Sequence, residues 1–156
     1  MLKILVLSDT HYYGNRSRCK ELSTFIESCD KIFHLGDFIS LEYYNSLKST
    51  GKLLAVRGNN DFEIPSIKIE EDFIYNDFKI KLLHGHTENI DFLDYKFSDY
   101  NLILHGHIHH PYRSDRGSTI VASPGSVTSN RYVDYNSFMI LTLDEKIDIE
   151  FVKTKS

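Results

Sequence analysis

The sequence predicts an α/β protein: a four-layer α/β/β/α sandwich of two mixed sheets packed face to face and flanked by helices. Three observations lead there. The first third of the chain alternates strand and helix in the order β-α-β-α-β, which favours parallel strands joined by right-handed crossovers. The remainder reads mostly as β, with turn signals at short intervals. Strand after strand also ends in a residue type that binds metal, and ligand sites of such sheets lie at the carboxyl ends of strands. At 156 residues the chain is expected to be one domain, 1–156, long enough to bury a proper core.

The first strand is Leu2-Lys3-Ile4-Leu5-Val6-Leu7, apolar except for Lys3, which is the pattern of a strand buried on both faces. It delivers Ser8-Asp9-Thr10-His11, where one residue separates a carboxylate from an imidazole, so both side chains can point to one side. Tyr12-Tyr13-Gly14-Asn15 reads as a loop and Arg16 to Ser28 as a helix, its stripe of Cys19, Leu22, Phe25 and Ile26 running on to Cys29. On that helix the two cysteines would stand ~15 Å apart, too far for a disulfide, so both read as small core residues.

Lys31 to Leu35 is a second strand ending in Gly36-Asp37. Glu42 to Ser49 is a second helix, and Lys52 to Val56 a third strand ending in Arg57-Gly58-Asn59-Asn60-Asp61. Ser66 to Tyr75 and Phe78 to Leu83 form a hairpin around Asn76-Asp77, the second arm ending in His84-Gly85-His86. Thr87 to Phe97 is a candidate short helix, and Asn101 to Leu104 a strand ending in His105-Gly106-His107-Ile108-His109-His110. Beyond Pro111, strands at Arg113 to Asp115 and Ser118 to Ala122 flank a turn at Arg116-Gly117. Strands at Ser137 to Leu143 and Ile147 to Val152 flank another at Asp144 to Lys146.

Composition limits the function classes. The chain is 41% hydrophobic and 26% charged with net charge −4, so it lacks the basic field of a protein that clamps extended nucleic acid. Small anionic substrates remain open, because bound metal ions supply local positive charge. No apolar run approaches the ~20 residues of a membrane span. The sequence enters its first strand without a signal-peptide pattern, so a cytoplasmic protein off the membrane is expected. A homo-oligomer stays open.

Five strand ends pool Asp9, His11, Asp37, Asn59, His84, His107 and His109. That is too many nitrogen and oxygen ligands for one tetrahedral zinc, but a natural supply for two metals sharing a carboxylate. In isolation each piece has a plainer reading. Asp9 could cap a turn, Asn59-Asn60-Asp61 could be only a turn, and His34 reads as a packed histidine. His105 and His110 read as bystanders, and Arg57 is either a phosphate contact or solvated. The tyrosines Tyr12, Tyr13, Tyr43, Tyr44, Tyr132 and Tyr135 could stack on an aromatic leaving group, but such residues are more often half-buried packing.

Taken together, Asp9-x-His11, Gly36-Asp37, Gly58-Asn59-x-Asp61, His84-Gly85-His86 and Gly106-His107-x-His109 occur in the order typical of the calcineurin-like metallophosphoesterases, and the chain resembles that family from Leu2 to about Val127. The small size and Ser123-Pro124-Gly125-Ser126 look most like its YfcE-like phosphodiesterases. The resemblance implies the metallophosphoesterase fold. It also implies that Asp9, His11, Asp37 and His109 hold one metal, and that Asp37, Asn59, His84 and His107 hold the other, with Asp37 bridging. The expected chemistry is in-line attack on a phosphodiester by a hydroxide bridging the two metals. Mn²⁺ is the first candidate, with Fe, Ni or Zn also suited to nitrogen-rich sites.

The expected substrate is a small phosphodiester or nucleotide-like molecule. Larger relatives carry His directly after the metal-binding Asn, where it assists the leaving oxygen, and YfcE-like members usually carry Cys; here the residue is Asn60, whose amide is no general acid near neutral pH. Esters with good leaving groups are therefore expected, or protonation by water or His86. Asp61 is expected to orient His11 or a neighbouring loop, and Asn60, His86 and Asp61 complete the candidate catalytic set. Only 24 residues separate Asn59 from His84, room for a hairpin but no cap domain, so an open site is expected. The rival functions are a phosphomonoesterase and a non-catalytic scaffold like the retromer subunit that resembles this family.

Overall fold

Strand β1 (Leu2–Leu7) has Ile4, Leu5, Val6 and Leu7 all without solvent exposure. Alternate residues of a strand face opposite ways, so this run must be covered on both sides, and each such side chain contributes about 1.5–3 kcal/mol relative to exposure. The computed structural model, which describes residues 1–11, 20–64 and 66–154, shows both covers. The expected loop at Tyr12–Asn15 and the start of the first helix, with Cys19, lie outside the described residues.

The elements that follow are α1 (Lys20–Ser28), β2 (Lys31–His34), α2 (Leu41–Lys48), β3 (Leu53–Ala55), β4 (Glu70–Tyr75) and β5 (Phe78–Leu83). After these come α3 (Leu93–Lys96), β6 (Leu102–Leu104), β7 (Pro111–Arg116), β8 (Thr119–Pro124), β9 (Asn136–Leu143) and β10 (Ile147–Thr154). They build two five-stranded mixed sheets, ordered β10-β9-β1-β2-β3 and β4-β5-β6-β8-β7. The β-α-β-α-β run gives the expected parallel pairs β1–β2 and β2–β3. In the second sheet β5, β6 and β8 run parallel, between antiparallel β4 and β7.

Ile4 and Val6 face the second sheet and pack with Phe33, Leu35, Ile80, Leu82, Leu102, Leu104, Met139 and Leu141. Leu5 and Leu7 face outward under the helices with Leu22, Cys29, Phe38, Tyr44 and Leu47. The stripe Leu22, Phe25, Ile26, Cys29 thus meets the sheet as its spacing requires. Helix α2 starts where Ser40 accepts a hydrogen bond from the Tyr43 N–H, an N-cap worth about 1 kcal/mol. On the far side Leu93, Phe97 and Tyr100 cover Leu83, Ile103 and Val121, completing the four layers.

Two expectations are corrected. The span Thr87 to Phe97 is not one helix but a 3-10 turn, Ile90–Phe92, then the single-turn α3, because the Asn89 side chain caps the Asp91 N–H and delays the helical start. Strand β4 begins at Glu70 rather than Ser66; the Lys68 carbonyl accepts the Arg57 N–H instead of joining the ladder. Among the described residues no helix is long and apolar enough to cross a membrane.

Candidate metal centre

Strands β1, β2 and β3 of one sheet and β5 and β6 of the other all end at one rim, and hydrogen bonds stitch that rim together. Asp9 N–H donates to the Gly36 carbonyl and His11 N–H to the Asp37 carbonyl. Gly106 N–H donates to the His84 carbonyl, and His107 N–H to Asp9 Oδ2 at 2.9 Å. His84 crosses between sheets: its Nδ1 lies 2.7 Å from the Leu35 carbonyl oxygen. Since a carbonyl only accepts, Nδ1 carries a hydrogen and Nε2 is the ring atom that faces the rim.

Asp9, His11, Asp37 and His109 converge so that one ligand atom from each lies within 4.8 Å of the others. His109 Nε2 is 3.1 Å from Asp9 Oδ1. His11 Nε2 is 3.5 Å from Asp37 Oδ2 and 3.9 Å from Asp9 Oδ1. His84 Nε2 sits between the same two carboxylates, 3.8 Å from Asp9 Oδ1 and 3.6 Å from Asp37 Oδ2. His107 is brought alongside, its ring centroid 5.1 Å from that of His84, and is exposed. Asn59 is exposed on the neighbouring loop.

These donors fit divalent ions. Asp9 Oδ1, His11 Nε2 and His84 Nε2 are buried and make no hydrogen bond among the described residues, a state that costs free energy unless something else accepts or supplies the interaction. The opposite edges of two of the rings are anchored, as metal-binding imidazoles are: His84 on Leu35, and His109 Nδ1 on the carbonyl and hydroxyl of Ser129 at 3.0 and 3.1 Å.

The charges are coupled. Burial pushes the Asp9 carboxyl up, but His109, His11, His84 and the Ser8 hydroxyl outweigh it and hold it far below the usual carboxylate range. Burial likewise raises Asp37, while His11, His84 and Asn60 bring it below its ordinary value. Asp37 and Asp9 raise His11 to about 9. Burial lowers His107, reinforced by His84, and it lowers His86, reinforced by His84 and His107.

The candidate ligands reach the rim by a different route from the one their spacing suggests. Five of the seven, Asp9, His11, Asp37, His107 and His109, have φ between +41° and +70°. Left-handed backbone in non-glycine residues is uncommon and clusters at functional sites. Simple strand alternation therefore does not align Asp9 with His11, or His107 with His109; single left-handed residues turn them.

Asp61 is buried, and its carboxylate accepts the N–H groups of Asp37, Ile39 and Gly58 at 2.8, 2.9 and 2.8 Å. It ties two loops together rather than touching His11. Gly58 is required there, since a Cβ would stand 2.2 Å from Asp37 Oδ1. Asn60 gives Asp37 two hydrogen bonds of 2.9 Å, backbone N–H to Oδ1 and Nδ2 to Oδ2. His86 is half-buried, its ring 5.4 Å from His84 and 6.5 Å from His107.

His34 is fully buried, stacked on Phe38 at 3.5 Å, with Nδ1 accepting the Gly36 N–H and Nε2 donating to Thr10. His105 is buried behind the rim, and His110 lies against Tyr112 and Tyr132. Sequence reasoning missed Ser126 and Ser129. The Ser126 hydroxyl donates to the Asp9 carbonyl at 2.7 Å and accepts the Ser129 N–H, which sets Ser129 under His109. The Ser-Pro-Gly-Ser run was a signal for Ser126; nothing in the sequence marks Ser129.

The sequence profile of the calcineurin-like phosphoesterase superfamily domain matches residues 2–146. A probable metallophosphoesterase of Methanocaldococcus jannaschii is 30% identical over 155 residues, covering 94% of this chain and 79% of that protein. A phosphodiesterase of the same organism is 29% identical over 139 residues, 80% of this chain and 83% of its own. Among solved structures, an uncharacterized Streptococcus pneumoniae protein, predicted to be a phosphoesterase, matches with TM-score 0.78 at 23% identity, covering 97% of this chain and 89% of that one. Vps29 of Chaetomium thermophilum matches with TM-score 0.79 at 18% identity, covering 99% and 97%. At these identities the structures speak to the fold alone.

Proposed function

This chain belongs to the calcineurin-like phosphoesterase superfamily, and from that membership we propose that it is a phosphodiesterase whose single domain, 1–156, works with two divalent metal ions. The observation that carries the reading is the cluster of Asp9, His11, Asp37 and His109, in which Asp9 Oδ1 and His11 Nε2 are buried without a hydrogen bond among the described residues. In this reading those four residues hold one ion, and Asp37, Asn59, His84 and His107 hold the other, with Asp37 shared. Mn²⁺ is the expected ion. Two bound ions would supply an ionised water for in-line attack and positive charge against the phosphoryl oxygens.

The chain's own residues set the stage. Asn59 is a neutral oxygen donor, so the site faces an anionic phosphate with only two carboxylates. The lowered pKa of His86 keeps its imidazole neutral at pH 7, able to hydrogen-bond a substrate oxygen from the rim. Asp61 keeps the loops after β2 and β3 in register and acts on the reaction only through them. The substrate is a small diester, nucleotide-like in class, met in the cytoplasm.

The test is hydrolysis of bis-p-nitrophenyl phosphate by metal-stripped protein, before and after Mn²⁺ addition, beside Asp37→Asn. Activity that requires both Mn²⁺ and Asp37 is expected. A folded protein inert with every divalent ion would reject catalysis in favour of a binding role. Faster turnover of the monoester than of the diester would reassign it as a phosphomonoesterase.

A further inference from the structure

Asp37 is the one carboxylate shared by both proposed ligand sets, and its orientation decides whether one oxygen can serve two sites at once. Its Oδ2 faces His11 Nε2 at 3.5 Å and His84 Nε2 at 3.6 Å. The Asn60 amide nitrogen lies 2.9 Å from that same oxygen, and the Asn60 backbone N–H lies 2.9 Å from the other. An ionised carboxylate only accepts, so the Asn60 amide presents its NH₂ edge to Oδ2. One residue therefore puts a donor on each carboxylate oxygen and fixes the plane of the group about its Cβ–Cγ bond.

Asn60 is itself held in place. Asp61, the next residue, binds the N–H of Asp37 and of Gly58, so the loop bearing Asn60 and the loop bearing Asp37 share an anchor. The missing Cβ at Gly58 lets the two backbones approach closely enough for the Asn60 N–H to reach Oδ1. Asn60 supplies the two close hydrogen bonds to the Asp37 carboxylate, both at 2.9 Å, with His11 Nε2 farther off at 3.5 Å.

We propose that Asn60 is a positioning residue that presets the Asp37 carboxylate for the metals and so sets how tightly this chain binds them. The role rests on the two-metal reading above. One of the two amide N–H groups is taken by Asp37, and an amide is no general acid near neutral pH, so the role assigned to Asn60 is to act on the ions through Asp37. Being neutral, it orients the carboxylate without adding negative charge to a site that must accept an anion. A residue that orients a ligand in this manner typically changes metal affinity by about 10- to 100-fold.

The geometry also names a replacement that preserves the role. Histidine Nδ1 is separated from its Cα by the same number of bonds as asparagine Nδ2. Asn60→His therefore keeps an N–H donor at the same reach, whereas Asn60→Ala keeps only the backbone N–H.

The experiment is calorimetric titration of metal-stripped protein with MnCl₂, for wild type, Asn60→Ala and Asn60→His, with a thermal melt of each metal-free protein. Asn60→Ala should bind Mn²⁺ about 10- to 100-fold more weakly, while its metal-free melting temperature stays near wild type. Asn60→His should recover most of the lost affinity. Equal Mn²⁺ affinity in wild type and Asn60→Ala would overturn the positioning role while leaving the metal centre intact. So would a weakened Asn60→Ala that Asn60→His fails to rescue. A wild type that takes up no divalent ion would instead overturn the metal centre, and this role with it.

Discussion

Replacing Asp61 by Asn tests whether the loops that carry Asp37 and Asn60 are held by a buried carboxylate. Asp61 is 1% exposed, and its two oxygens take three backbone N–H groups: Asp37 and Gly58 on Oδ2, Ile39 on Oδ1. Hydrogen bonds to an ionised group contribute about 1.5–3 kcal/mol each, more than neutral ones. Asparagine keeps one acceptor oxygen. Placed to satisfy Asp37 and Gly58, it turns its NH₂ edge toward the Ile39 N–H, donor against donor, and leaves that group unsatisfied. Ile39 is a β-branched residue at φ +68°, a strained conformation that the lost bond helps to hold. The expected loss is about 2–4 kcal/mol, from one stranded N–H and two weakened bonds. At about 2–4 °C per kcal/mol for a chain of this size, the metal-free melting temperature should fall by about 5–15 °C. Mn²⁺ affinity should fall with it, because the bond that anchors the Asp37 backbone is weakened. The assay is thermal unfolding followed by circular dichroism on chelator-treated protein, with Mn²⁺ titration of whatever remains folded. A melting temperature within about 2 °C of wild type would refute the reasoning, since it would mean that the carboxylate charge contributes nothing there.

Two other outcomes follow from the same structure. With Asn60 engaged on Asp37, hydrolysis rates across a series of aryl diesters should drop steeply as the leaving-group pKa rises, and Asn60→His should flatten the dependence; a flat series in wild type with no change in Asn60→His would count against this. Stability of the metal-free protein should fall on acidification from pH 6.5 to 5, because burial lowers His34 to about 3 and His105 to about 4. Below about 6.5 the unfolded chain takes up protons that these two histidines refuse, so the loss is up to about 2 kcal/mol per residue at pH 5. His11 works in the opposite window: its pKa is raised to about 9, so its contribution is complete below 6.5 and disappears as pH climbs through 9. Urea unfolding at pH 5, 6.5 and 9 checks both signs, and a midpoint higher at pH 5 than at 6.5 would contradict the first.

The sandwich was legible because its central strands carry unambiguous patterns. Leu2–Leu7 has no polar face, and the structure covers both of its faces; the hairpin at Asn76-Asp77 forms where the turn residues placed it. The ligand types were legible because each sits where a strand runs out. What was not legible is how they reach one another. A left-handed φ at His11, His107 or His109 has only a weak residue-type signature: histidine is enriched there, but positive φ is uncommon enough that the residue type does not foretell it. The supports were equally hidden. Ser129 reaches His109 through a hydrogen bond between residues 20 apart, and Asp61 reaches Ile39 across 22. The candidate helix at Thr87–Phe97 failed for a local reason, the side-chain cap at Asn89, which competes with the helix for the same N–H groups.

The positions of strain and of unsatisfied polar atoms argue for one cause. Left-handed backbone at non-glycine residues costs on the order of 1–3 kcal/mol each, and such residues persist only where the structure around them over-determines their conformation. Among the described residues, five of the eight fall on Asp9, His11, Asp37, His107 and His109, at the mouth of two sheets whose interior is packed with Ile4, Val6, Phe33, Leu82, Leu104 and Met139; Ile39, Asn76 and Tyr132 are the others. That rigid body can hold a strained rim. The same rim contains buried polar atoms that make no hydrogen bond among the described residues, on Asp9, His11 and His84. A chain selected only for stability would remove both costs by relaxing a loop or replacing a histidine. Retaining both at one rim, and together on Asp9 and His11, is what a metal site would require: side chains turned out of their strands, with polar atoms left for an ion to take.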